Sequence, residues 1–256
     1  MKISIVNAQA KDVQPDYRSR IYRSYVYARE ESLAPGSIER LAPRLPLFNK
    51  LIRRYFPKDS NAPILELGCG HGAFLYALRQ AGYTKCEGVD CSPEQIAVAR
   101  RLGIGGITED DLTRHLTTVP DASKQVVITF DVIEHFTKSE LMSFVDEVYR
   151  VLCPGGKWII HVPNGESPFG LRMRCWDFTH ELAFTRTSIA QLLMASGFST
   201  IICEEDGPVP HGVISMIRWM LWKMIRGLLR FYLAVETGSI SPKHIFTQNL
   251  VAVAIR

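Results

Sequence analysis

Short apolar runs alternate with helix-like segments from about residue 61 to the end of the printed sequence. The apolar runs that we predict as strands cover residues 64–67, 86–89, 106–108, 126–130, 158–162, 200–203 and 249–255. The segments with a helical spacing of apolar residues cover 73–81, 93–102, 138–152 and 187–196. Strand–helix alternation of this kind predicts a parallel sheet that is covered by helices on both faces.

Parts of the chain lie outside this alternation. We predict residues 1–60 as a basic N-terminal arm or lid and residues 61–256 as the main domain, with insertions at 163–186 and 207–240. A chain of 256 residues is long enough for one such domain with appendages. The insertion at 163–186 follows a predicted strand, and long loops in that place usually cover a binding site.

Charge is distributed unevenly along the chain. Residues 1–60 carry 12 Lys and Arg against 6 Asp and Glu, residues 61–210 carry 12 against 19, and residues 211–256 carry 6 against 1. An acidic middle therefore lies between two basic ends, although the formal net charge is only +4. Basic ends favour an anionic partner such as lipid headgroups, phosphate or nucleic acid.

The cysteines are scattered and form no C-x-x-C pair. They are Cys69, Cys86, Cys91, Cys153, Cys175 and Cys203. Their spacing favours reduced thiols in a cytoplasmic protein over a disulfide framework or a zinc site, and we predict no metal site. The N-terminal sequence MKISIVNAQAKD is too short and polar for a secretory signal, which favours the same compartment.

A glycine-rich turn follows the first predicted strand in ILELGCGHGA, residues 64–73. Gly68, Gly70 and Gly72 allow a tight turn and a close approach of a ligand to the backbone, at the N-terminus of the next helix. Asp90 ends the next strand, where an acid typically binds ribose hydroxyls. The pattern therefore indicates a site for a nucleoside-bearing cofactor.

Two cofactors compete for this site. The spacing of Gly68, Gly70 and Ala73 also matches the weak dinucleotide fingerprint of NAD-dependent oxidoreductases. Glu66 favours the other cofactor, because a carboxylate beside the turn repels a pyrophosphate but attracts a cationic amino acid. S-adenosyl-L-methionine carries an ammonium and a sulfonium group and no phosphate, so the sequence favours it.

Four motifs carry a resemblance to a known family. ELGCGHG resembles motif I of the class I S-adenosylmethionine-dependent methyltransferases, and GVDCSPEQIAVAR resembles their second-strand acid with its helix. QVVITFDVIEHF is similar to their fourth strand with the Glu-His element, and RVLCPGGKWIIHVPN to the turn and fifth strand. The match runs from about residue 63 to residue 198. Within the class, the chain resembles bacterial glycan- and lipid-carrier-associated methyltransferases of the methyltransferase-11/23 type.

The resemblance implies a fold and a set of cofactor-binding residues. The fold is an α/β three-layer αβα Rossmann-like sandwich, with a seven-stranded, mostly parallel sheet and an antiparallel last strand. Gly68, Cys69, Gly70 and Gly72 would line the methionine and ribose portion, with Glu66 near the ammonium group. Asp90 would hold the ribose, with Cys91 and Ser92 beside the adenosine, and Phe130 and Asp131 would meet the methionine moiety through the backbone.

Family members often use an acid after the third strand to accept a hydrogen bond from the adenine amino group. Glu109, Asp110 and Asp111 are available in GITEDDLTRHL. We favour Asp111, because Leu112 then supplies an apolar contact to the ring. Glu109 and Asp110 are the other acids available there, and we expect them to form a solvated acidic loop.

Transfer of a methyl group to a hydroxyl requires alignment and removal of a proton. In RCWDFTHELAFT, His180 is the candidate base and Asp177 its orienting carboxylate, and the alternative is a loop held by its own hydrogen bonds. His135 follows the fourth strand and is a second candidate, or a polar residue that caps the next helix. His161 lies within a strand, where we expect a core histidine with satisfied hydrogen bonds.

The sequence HGVISMIRWMLWKMIRGLLRFYLAVE, residues 211–236, predicts a basic amphipathic helix. Four cations fall within an arc of about 140°, near two tryptophans, and opposite a broad apolar face. They are Arg218, Lys223, Arg226 and Arg230. This pattern is typical of a helix that lies in a membrane interface, here over 213–235, and the alternatives are packing on the sheet or in a homodimer.

The arm sequence YRSRIYRSYVYARE alternates tyrosines with arginines. We expect a helix that rests on the domain, as a lid over the cofactor, and we do not favour nucleic acid because no RNA- or DNA-binding module is present.

Together these features predict a methyltransferase that modifies oxygen on a sugar or a lipid-linked glycan intermediate. The expected location is the cytoplasm, at the inner face of the membrane. The alternatives are a small-molecule (aromatic or quinone-like) O-methyltransferase, an RNA or protein methyltransferase, an NAD-dependent oxidoreductase, or a domain that only binds the nucleoside.

Overall fold

The computed structural model describes residues 17–22, 35–238, 241 and 243–256. The strands are β1 (Ile64–Leu67), β2 (Cys86–Asp90), β3 (Ile107–Glu109), β4 (Lys124–Phe130), β5 (Leu152–Pro163), β6 (Thr200–Glu205) and β7 (Asn249–Ile255). The α-helices are α1 (Tyr17–Tyr22), α2 (Leu45–Tyr55), α3 (Ala73–Gln80), α4 (Pro93–Arg101), α5 (Leu112–Thr118), α6 (Lys138–Val151), α7 (Gly170–Cys175), α8 (Arg186–Ala195) and α9 (Val213–Thr237). Short 3-10 helices cover Ile38–Leu41 and Ile133–His135.

The strands form one seven-stranded sheet in the order β3-β2-β1-β4-β5-β7-β6. Strands β1 to β5 are parallel to one another, whereas β7 is antiparallel to both β5 and β6. The predicted fold class, including the antiparallel last strand, is therefore confirmed.

Two apolar clusters cover the two faces of the sheet. One cluster packs α6 and α8 on the sheet around the fully buried Trp158 and Phe144. The other packs α2 and α3 on the opposite face, where Phe48 lies against Phe74 with ring centroids 4.5 Å apart. Each helix layer removes one face of the parallel strands from water, as this class of sheet requires.

Helix α2 lies within the segment 1–60 that the sequence analysis treated as an arm. Its buried residues Phe48, Leu51, Ile52 and Tyr55 belong to the second cluster, so this helix is part of the packed layer. The arm sequence YRSRIYRSYVYARE is described only at Tyr17–Tyr22, which is helical as expected, and residues 23–30 lie outside the described residues. The domain boundary at residue 60 stays a prediction.

The carboxyl edge of the sheet collects the segments outside the core alternation. Strand β5 ends at Pro163, which pairs with Asn249, and β6 ends at Glu205, which pairs with Leu250. Asn249 and Leu250 are adjacent in β7, so β5 and β6 end at the same edge of the sheet. The loop 163–186 and the segment that leads to α9 therefore leave from that edge.

The loop 163–186 is anchored at both ends. Asn164 is fully buried, forms a bridge with Phe184, and donates hydrogen bonds from Nδ2 to the carbonyl oxygens of Ile245 and Thr247. Helix α7 lies between these anchors and ends before an exposed aromatic stretch. The loop is therefore held at its roots while its tip faces solvent.

Helix α9 has 25 residues and turns Trp222 and Arg226 toward the protein, whereas Arg218 and Lys223 are exposed. Arg226 Nε lies 3.1 Å from Glu205 Oε1, and Trp222 Nε1 donates to Glu205 Oε2 at 3.5 Å. The opposite face exposes many large apolar side chains, among them Leu228 at 68% and Phe231 at 69% exposure. In the described part of the chain, no helix combines the length and the hydropathy that crossing a bilayer requires.

Candidate active site

The turn after β1 has a backbone that side chains would obstruct. Gly68, Gly70 and Gly72 all have positive φ, at +71°, +54° and +79°, in the left-handed region that favours glycine. A Cβ on Gly68 would lie 2.4 Å from Val132 Cγ2, and a Cβ on Gly72 would lie 2.8 Å from both Ile104 and Ile107. The turn can therefore bend tightly against its neighbours only because these side chains are missing.

Asp90 connects this turn with the loop after β2. Its Oδ2 accepts a hydrogen bond from the Gly70 amide at 2.7 Å, and its Oδ1 accepts one from the Ser92 amide at 2.9 Å. Burial raises the pKa of Asp90, and these two amides oppose that shift. Each carboxylate oxygen has a second lone pair, so Asp90 can accept from ribose hydroxyls while it holds the turn.

Glu66 is buried on β1, directly before the turn, and its Oε2 has no hydrogen-bond partner among the described residues. Burial raises its pKa to about 8, with a further contribution from Asp90. A buried carboxyl oxygen without a partner is costly unless a ligand satisfies it. The bare turn, Asp90 and Glu66 therefore fit a nucleoside cofactor with a cationic amino-acid end.

The other predicted cofactor residues occupy varied positions around the turn. The Cys69 side chain is buried against Gly88, where burial raises its pKa well above the usual value. The Ser92 hydroxyl is buried and caps α4 by accepting from the Gln95 amide at 3.4 Å. Cys91 beside them is exposed as a residue, but partial burial of its thiol, with a contribution from Asp90, raises the pKa to about 11.

The acids after β3 have local structural partners. Asp111 caps α5 by accepting from the Arg114 amide at 2.9 Å, and Leu112 packs on the edge of the first apolar cluster. Asp110 forms an ion pair with Arg114, and its amide donates to the carbonyl of Asp90 at 3.1 Å. The acidic loop is thereby tied to the end of β2, next to the glycine turn.

Three strand ends are connected by one buried imidazole. His161 on β5 places Nδ1 2.7 Å from Asp131 Oδ1, after β4, and Nε2 3.1 Å from Asp206 Oδ2, after β6. Burial alone would lower the pKa of His161, but the two carboxylates outweigh it and raise the pKa to about 10. The imidazole is therefore a cation at neutral pH, and Asp131, with its unusual φ of +55°, is held in place by it.

Phe130, at the end of β4, stacks on this imidazole. The ring centroids of Phe130 and His161 are 4.4 Å apart with an interplanar angle of 5°. Phe48 of α2 packs edge-on against the other side of Phe130 at 5.4 Å. The expected core histidine is thus buried and satisfied, and it also stiffens the backbone that was predicted to meet the methionine moiety.

The loop 163–186 brings His180 to His135, with ring centroids 4.7 Å apart. Asp177 is buried, but its Oδ1 accepts from the amide and hydroxyl of Thr179, at 2.8 and 2.7 Å, whereas His180 Nδ1 contacts the carbonyl oxygen of Met173 at 3.0 Å. The direct Asp177–His180 pair that the sequence suggested is therefore absent from the hydrogen bonds among the described residues. The reason is that the turn directs Asp177 to the backbone and to Thr179.

The hydroxyl of Thr179 connects Asp177 to His135 by hydrogen bonds. His135 Nδ1 lies 2.8 Å from Thr179 Oγ1. Burial, with a further contribution from His180, lowers the pKa of His135 to about 4, so the imidazole is neutral at physiological pH. Both predicted catalytic histidines are thus fixed by specific acceptors, which sequence spacing did not reveal.

Glu134 lies between the two histidines and was missed by the sequence analysis. It is fully buried, and its backbone carbonyl accepts from the amides of Glu181 and Leu182 at 2.8 and 3.0 Å. These bonds attach the 3-10 turn Ile133–His135 to the loop. The sequence VIEH contained the residue, but the apolar neighbours gave no sign of which side chain points inward.

Helix α1 rests on the same region from outside. Tyr17 donates to Glu181, Arg18 forms an ion pair with Glu140 at 3.0 Å, and the Tyr22 ring lies edge-on to His135 at 6.3 Å. The arm therefore covers the histidine side of the site, and the sequence prediction of a helix resting on the domain is supported at these six residues.

A family of methyltransferase domains, Methyltransf_23, matches residues 38–202, which is more than half of the chain. A probable S-adenosylmethionine-dependent methyltransferase of Mycolicibacterium smegmatis is 29% identical over 167 residues, covering 65% of this chain and 60% of that protein. A probable tRNA methyltransferase 9B of Homo sapiens is 27% identical over 145 residues, covering 56% of this chain and 30% of that protein. The chain thus spans less than two thirds of the length of these relatives.

Solved structures share the fold. A SAM-dependent methyltransferase from Archaeoglobus fulgidus has a TM-score of 0.63 at 21% identity, covering 90% of this chain and 99% of that one. A phosphoethanolamine N-methyltransferase 2 from Haemonchus contortus, in complex with phosphomonomethylethanolamine and S-adenosylhomocysteine, has a TM-score of 0.59 at 16% identity, covering 92% and 60%. With the bare glycine turn, Asp90 and Glu66, the family match confirms the expected cofactor. The chain belongs to the Methyltransf_23 family of class I methyltransferase domains, whose cofactor is S-adenosyl-L-methionine.

Proposed function

We propose that the protein transfers a methyl group from S-adenosyl-L-methionine to a hydroxyl oxygen of a sugar or lipid-linked glycan intermediate at a membrane surface. The observation that carries this proposal is the arrangement at the carboxyl edge of the sheet. There the 3-10 turn that carries His135 follows Val132, which lies against Gly68 of the glycine turn. Two elements with exposed apolar side chains leave from the same edge.

The cofactor half of the site would position and orient the donor. Glu66 would accept from the ammonium group, Asp90 from the ribose hydroxyls, and Asp111 with Leu112 would meet the adenine. When bound, the cofactor supplies an electrophilic methyl group on a sulfonium. The backbone of Phe130 and Asp131 would border the methionine portion, and the His161 cation keeps that backbone rigid.

The histidine half of the site would remove the proton of the acceptor. A carbonyl oxygen can only accept, so the contact between His180 Nδ1 and Met173 O places a hydrogen on Nδ1. In the neutral ring the lone pair is then on Nε2, which can take the proton of a hydroxyl. We therefore assign His180 as the base, with Met173 O orienting it directly and Asp177 acting on His135 through Thr179.

The tip of the loop 163–186 supports an acceptor with an apolar portion. Four large side chains near His180 are exposed by between 59% and 83% of their surface. They are Phe169, Leu171, Trp176 and Phe178. Exposed apolar groups in a cluster mark a binding surface, and the exposed Arg172 beside Trp176 adds a cation for a phosphate group.

The outer face of α9 supports contact with lipid. Its apolar side chains are long, exposed and spread over 25 residues, as in helices that lie in a membrane interface. The basic residues of α9 contribute less to the attraction to lipid than the sequence suggested, because Arg226 pairs with Glu205. Insertion of the apolar face is therefore the main attraction in this proposal.

The charge of the central segment disfavours a nucleic-acid acceptor. Residues 61–210, which contain the cofactor turn and both candidate histidines, carry 19 Asp and Glu against 12 Lys and Arg. A polyanionic backbone would be repelled there, whereas an uncharged sugar ring would not.

Methyl transfer to fractionated acceptors tests the proposal. Purified protein is incubated with cofactor labelled in the methyl group and with lipid-linked glycan, free glycan, small aromatic, protein and RNA fractions. We expect label in a sugar O-methyl group of the lipid-linked or free glycan fraction, identified by mass spectrometry. Label confined to the RNA, protein or aromatic fraction would overturn the acceptor assignment.

The role of His180 has its own test. We expect His180→Ala to bind S-adenosylhomocysteine with nearly unchanged affinity and to lose turnover by about 100-fold or more, the usual contribution of a general base. Calorimetry and the labelled assay measure the two quantities. Loss of cofactor binding in the variant would move His180 out of the acceptor half of the site.

Flotation with vesicles of phosphatidylcholine and phosphatidylglycerol tests the role of 213–235. We expect the wild-type chain to float and the double variant Leu228→Glu, Phe231→Glu to remain at the bottom. The matched control is Met194→Glu, which places the same charge on an apolar residue of α8 that is 66% exposed. If the double variant floats equally, or only dissociates a dimer in size-exclusion chromatography, α9 does not act through lipid.

A further inference from the structure

Three potential metal ligands converge where the turn after β4 meets the loop 163–186. One ligand atom each of Glu134, His135 and His180 lies within 4.8 Å of the other two. His180 Nε2 lies 4.0 Å from Glu134 Oε1. The residues come from two segments, the 3-10 turn Ile133–His135 and the loop 163–186, which backbone hydrogen bonds from Glu181 and Leu182 to Glu134 hold together.

Hydrogen bonds fix the tautomers of both histidines. The hydroxyl of Thr179 donates to Asp177, so its oxygen must accept from His135 Nδ1–H. His180 Nδ1–H donates to the carbonyl oxygen of Met173. When neutral, each ring therefore carries its lone pair on Nε2. Metal-binding histidines are typically oriented in this way, by a carbonyl, carboxylate or hydroxyl acceptor on the other nitrogen.

Glu134 supplies an independent sign of a ligand. Its side chain is 0% exposed, and neither carboxylate oxygen has a hydrogen-bond partner among the described residues. A buried carboxyl group in that state costs free energy that a bound cation would recover. One nitrogen of each imidazole lies within 4.8 Å of a Glu134 carboxylate oxygen.

We propose that Glu134, His135 and His180 bind a divalent first-row transition-metal cation such as Mn²⁺, Fe²⁺, Co²⁺ or Zn²⁺. Two imidazole nitrogens and one carboxylate suit these ions and leave coordination positions for exogenous oxygen ligands. Ligand atoms on one such cation lie about 3 Å apart. Binding therefore draws Glu134 Oε1 and His180 Nε2 together by about 1 Å.

The spacing of the cysteines predicted no metal site. A site made of histidine and glutamate does not depend on cysteine spacing. The juxtaposition depends on the fold, because His180 follows His135 by 45 positions and reaches it only through the loop after β5.

A bound cation changes how the acceptor is activated, and this part rests on the proposed function. The hydroxyl oxygen would coordinate the cation, which lowers the pKa of the hydroxyl so that its proton leaves to water. The oxygen then forms a bond to the methyl carbon, and the carbon–sulfur bond breaks with its electron pair going to sulfur. His180 Nε2 acts as the base described above only in the metal-free site. In the metal-loaded site it is a ligand, and water takes the proton of the hydroxyl.

Titration of the chelator-treated full chain tests the metal site without an acceptor. Calorimetry with MnCl₂, and visible absorption on addition of CoCl₂, report affinity and nitrogen ligation. We expect saturation at one cation per chain, and Glu134→Gln and His180→Asn each to weaken binding by at least about tenfold. The control His211→Asn changes an exposed histidine and is expected to leave the affinity unchanged.

The outcomes separate the metal site from the proposed function. Absence of saturable binding, or unchanged affinity in Glu134→Gln and His180→Asn, overturns the site. If Glu134→Gln does not fold by circular dichroism, His180→Asn decides. Methyl transfer that persists at full rate in chelator overturns the catalytic role of the cation, whichever acceptor is identified.

Discussion

Gly68 shows how one missing side chain defines the cofactor end of the site. Its φ is +71°, and a Cβ would lie 2.4 Å from Val132 Cγ2. We expect Gly68→Ala to lower the free energy of unfolding by about 1–3 kcal/mol, because strain and overlap must be relieved by shifting the turn. The same shift should weaken the affinity for S-adenosylhomocysteine. Urea unfolding and calorimetry measure the two effects.

Gly105 provides the matched control for this substitution. It has no left-handed φ, and a Cβ there would meet nothing within 4 Å. We expect Gly105→Ala to change the free energy of unfolding by less than about 0.5 kcal/mol and to leave cofactor affinity intact. Equal losses in the two variants would show that the turn tolerates a side chain at Gly68.

His161 makes stability depend on pH. Its folded pKa of about 10 exceeds the unfolded value of about 6.5, so its stabilising contribution is complete below pH 6.5 and is lost as pH rises toward 10. We expect His161→Gln to lower the free energy of unfolding by about 2 kcal/mol near pH 6. This is less than for a fully buried pair, because the Asp131 side chain is 48% exposed.

Urea unfolding of wild type and His161→Gln between pH 6 and pH 10 measures this difference. It should shrink with rising pH, whereas the control His211→Gln, at an exposed imidazole, should show little difference throughout. A constant difference between wild type and His161→Gln would mean that the imidazole is not the charged partner of Asp131 and Asp206.

Local sequence predicted the bare turn and the two acids beside it better than the contacts of the histidines. Glu66 and Asp90 stand at fixed spacings from the glycines, so one motif indicated all of them. The bridge from Asp131 through His161 to Asp206 joins residues 30 and 45 positions apart, and no periodicity encodes such a pairing. The partner of Asp177 was likewise decided by a local turn, which favoured Thr179 over His180.

Helix α1 shows how an arm element is attached to the domain by a few polar contacts. Arg18 donates two hydrogen bonds to Glu140, the residue that also closes the capping box of α6 with Thr137. The hydrogen bonds from Arg18, and to a smaller extent those from Thr137, lower the pKa of Glu140 to about 2. This attachment should therefore weaken as pH falls from about 4.5, the usual value, toward 2.

We expect Arg18→Ala to loosen α1 without unfolding the domain. The free energy of unfolding should fall by less than about 1 kcal/mol, since the Glu140 carboxylate is half exposed. Hydrogen exchange of the α1 amides should nevertheless accelerate. Arg20→Ala, at an exposed position of the same helix, is the control, and equal acceleration in both variants would show that the ion pair does not attach the helix.

Element positions followed from periodicity where apolar residues were dense. The strands β1 and β7 were predicted at their observed bounds, and α6 ended within one residue of its predicted end. Helix α5 was not predicted because its sequence LTRHLTT has few apolar residues. Its N-terminus is instead stabilised by the Asp111 cap. The orientation of α9 could not be predicted, because Glu205 decides which face of the helix meets the protein.

At the scale of the molecule, sheet topology assembles the site. The carboxyl edge brings together the ends of β1, β2, β4, β5 and β6, whose residues are spread over much of the chain. Strand–helix alternation predicted this edge, and with it the neighbourhood of the cofactor. Which loops meet there, and what they place beside one another, depends on packing that emerges only once the chain has folded.

The orientation of α9 determines how its binding to lipid should depend on ionic strength. Glu205 neutralises Arg226, and each exposed cation such as Arg218 or Lys223 adds only about 1 kcal/mol near an anionic bilayer. Burial of apolar surface contributes about 25 cal/mol per Å² and is not screened by ions. We therefore expect a concentrated sodium chloride wash to leave most of the protein on vesicles, and uncharged phosphatidylcholine alone to retain it. Complete release by salt would show that the cations of α9, and not its exposed apolar face, hold the protein to lipid.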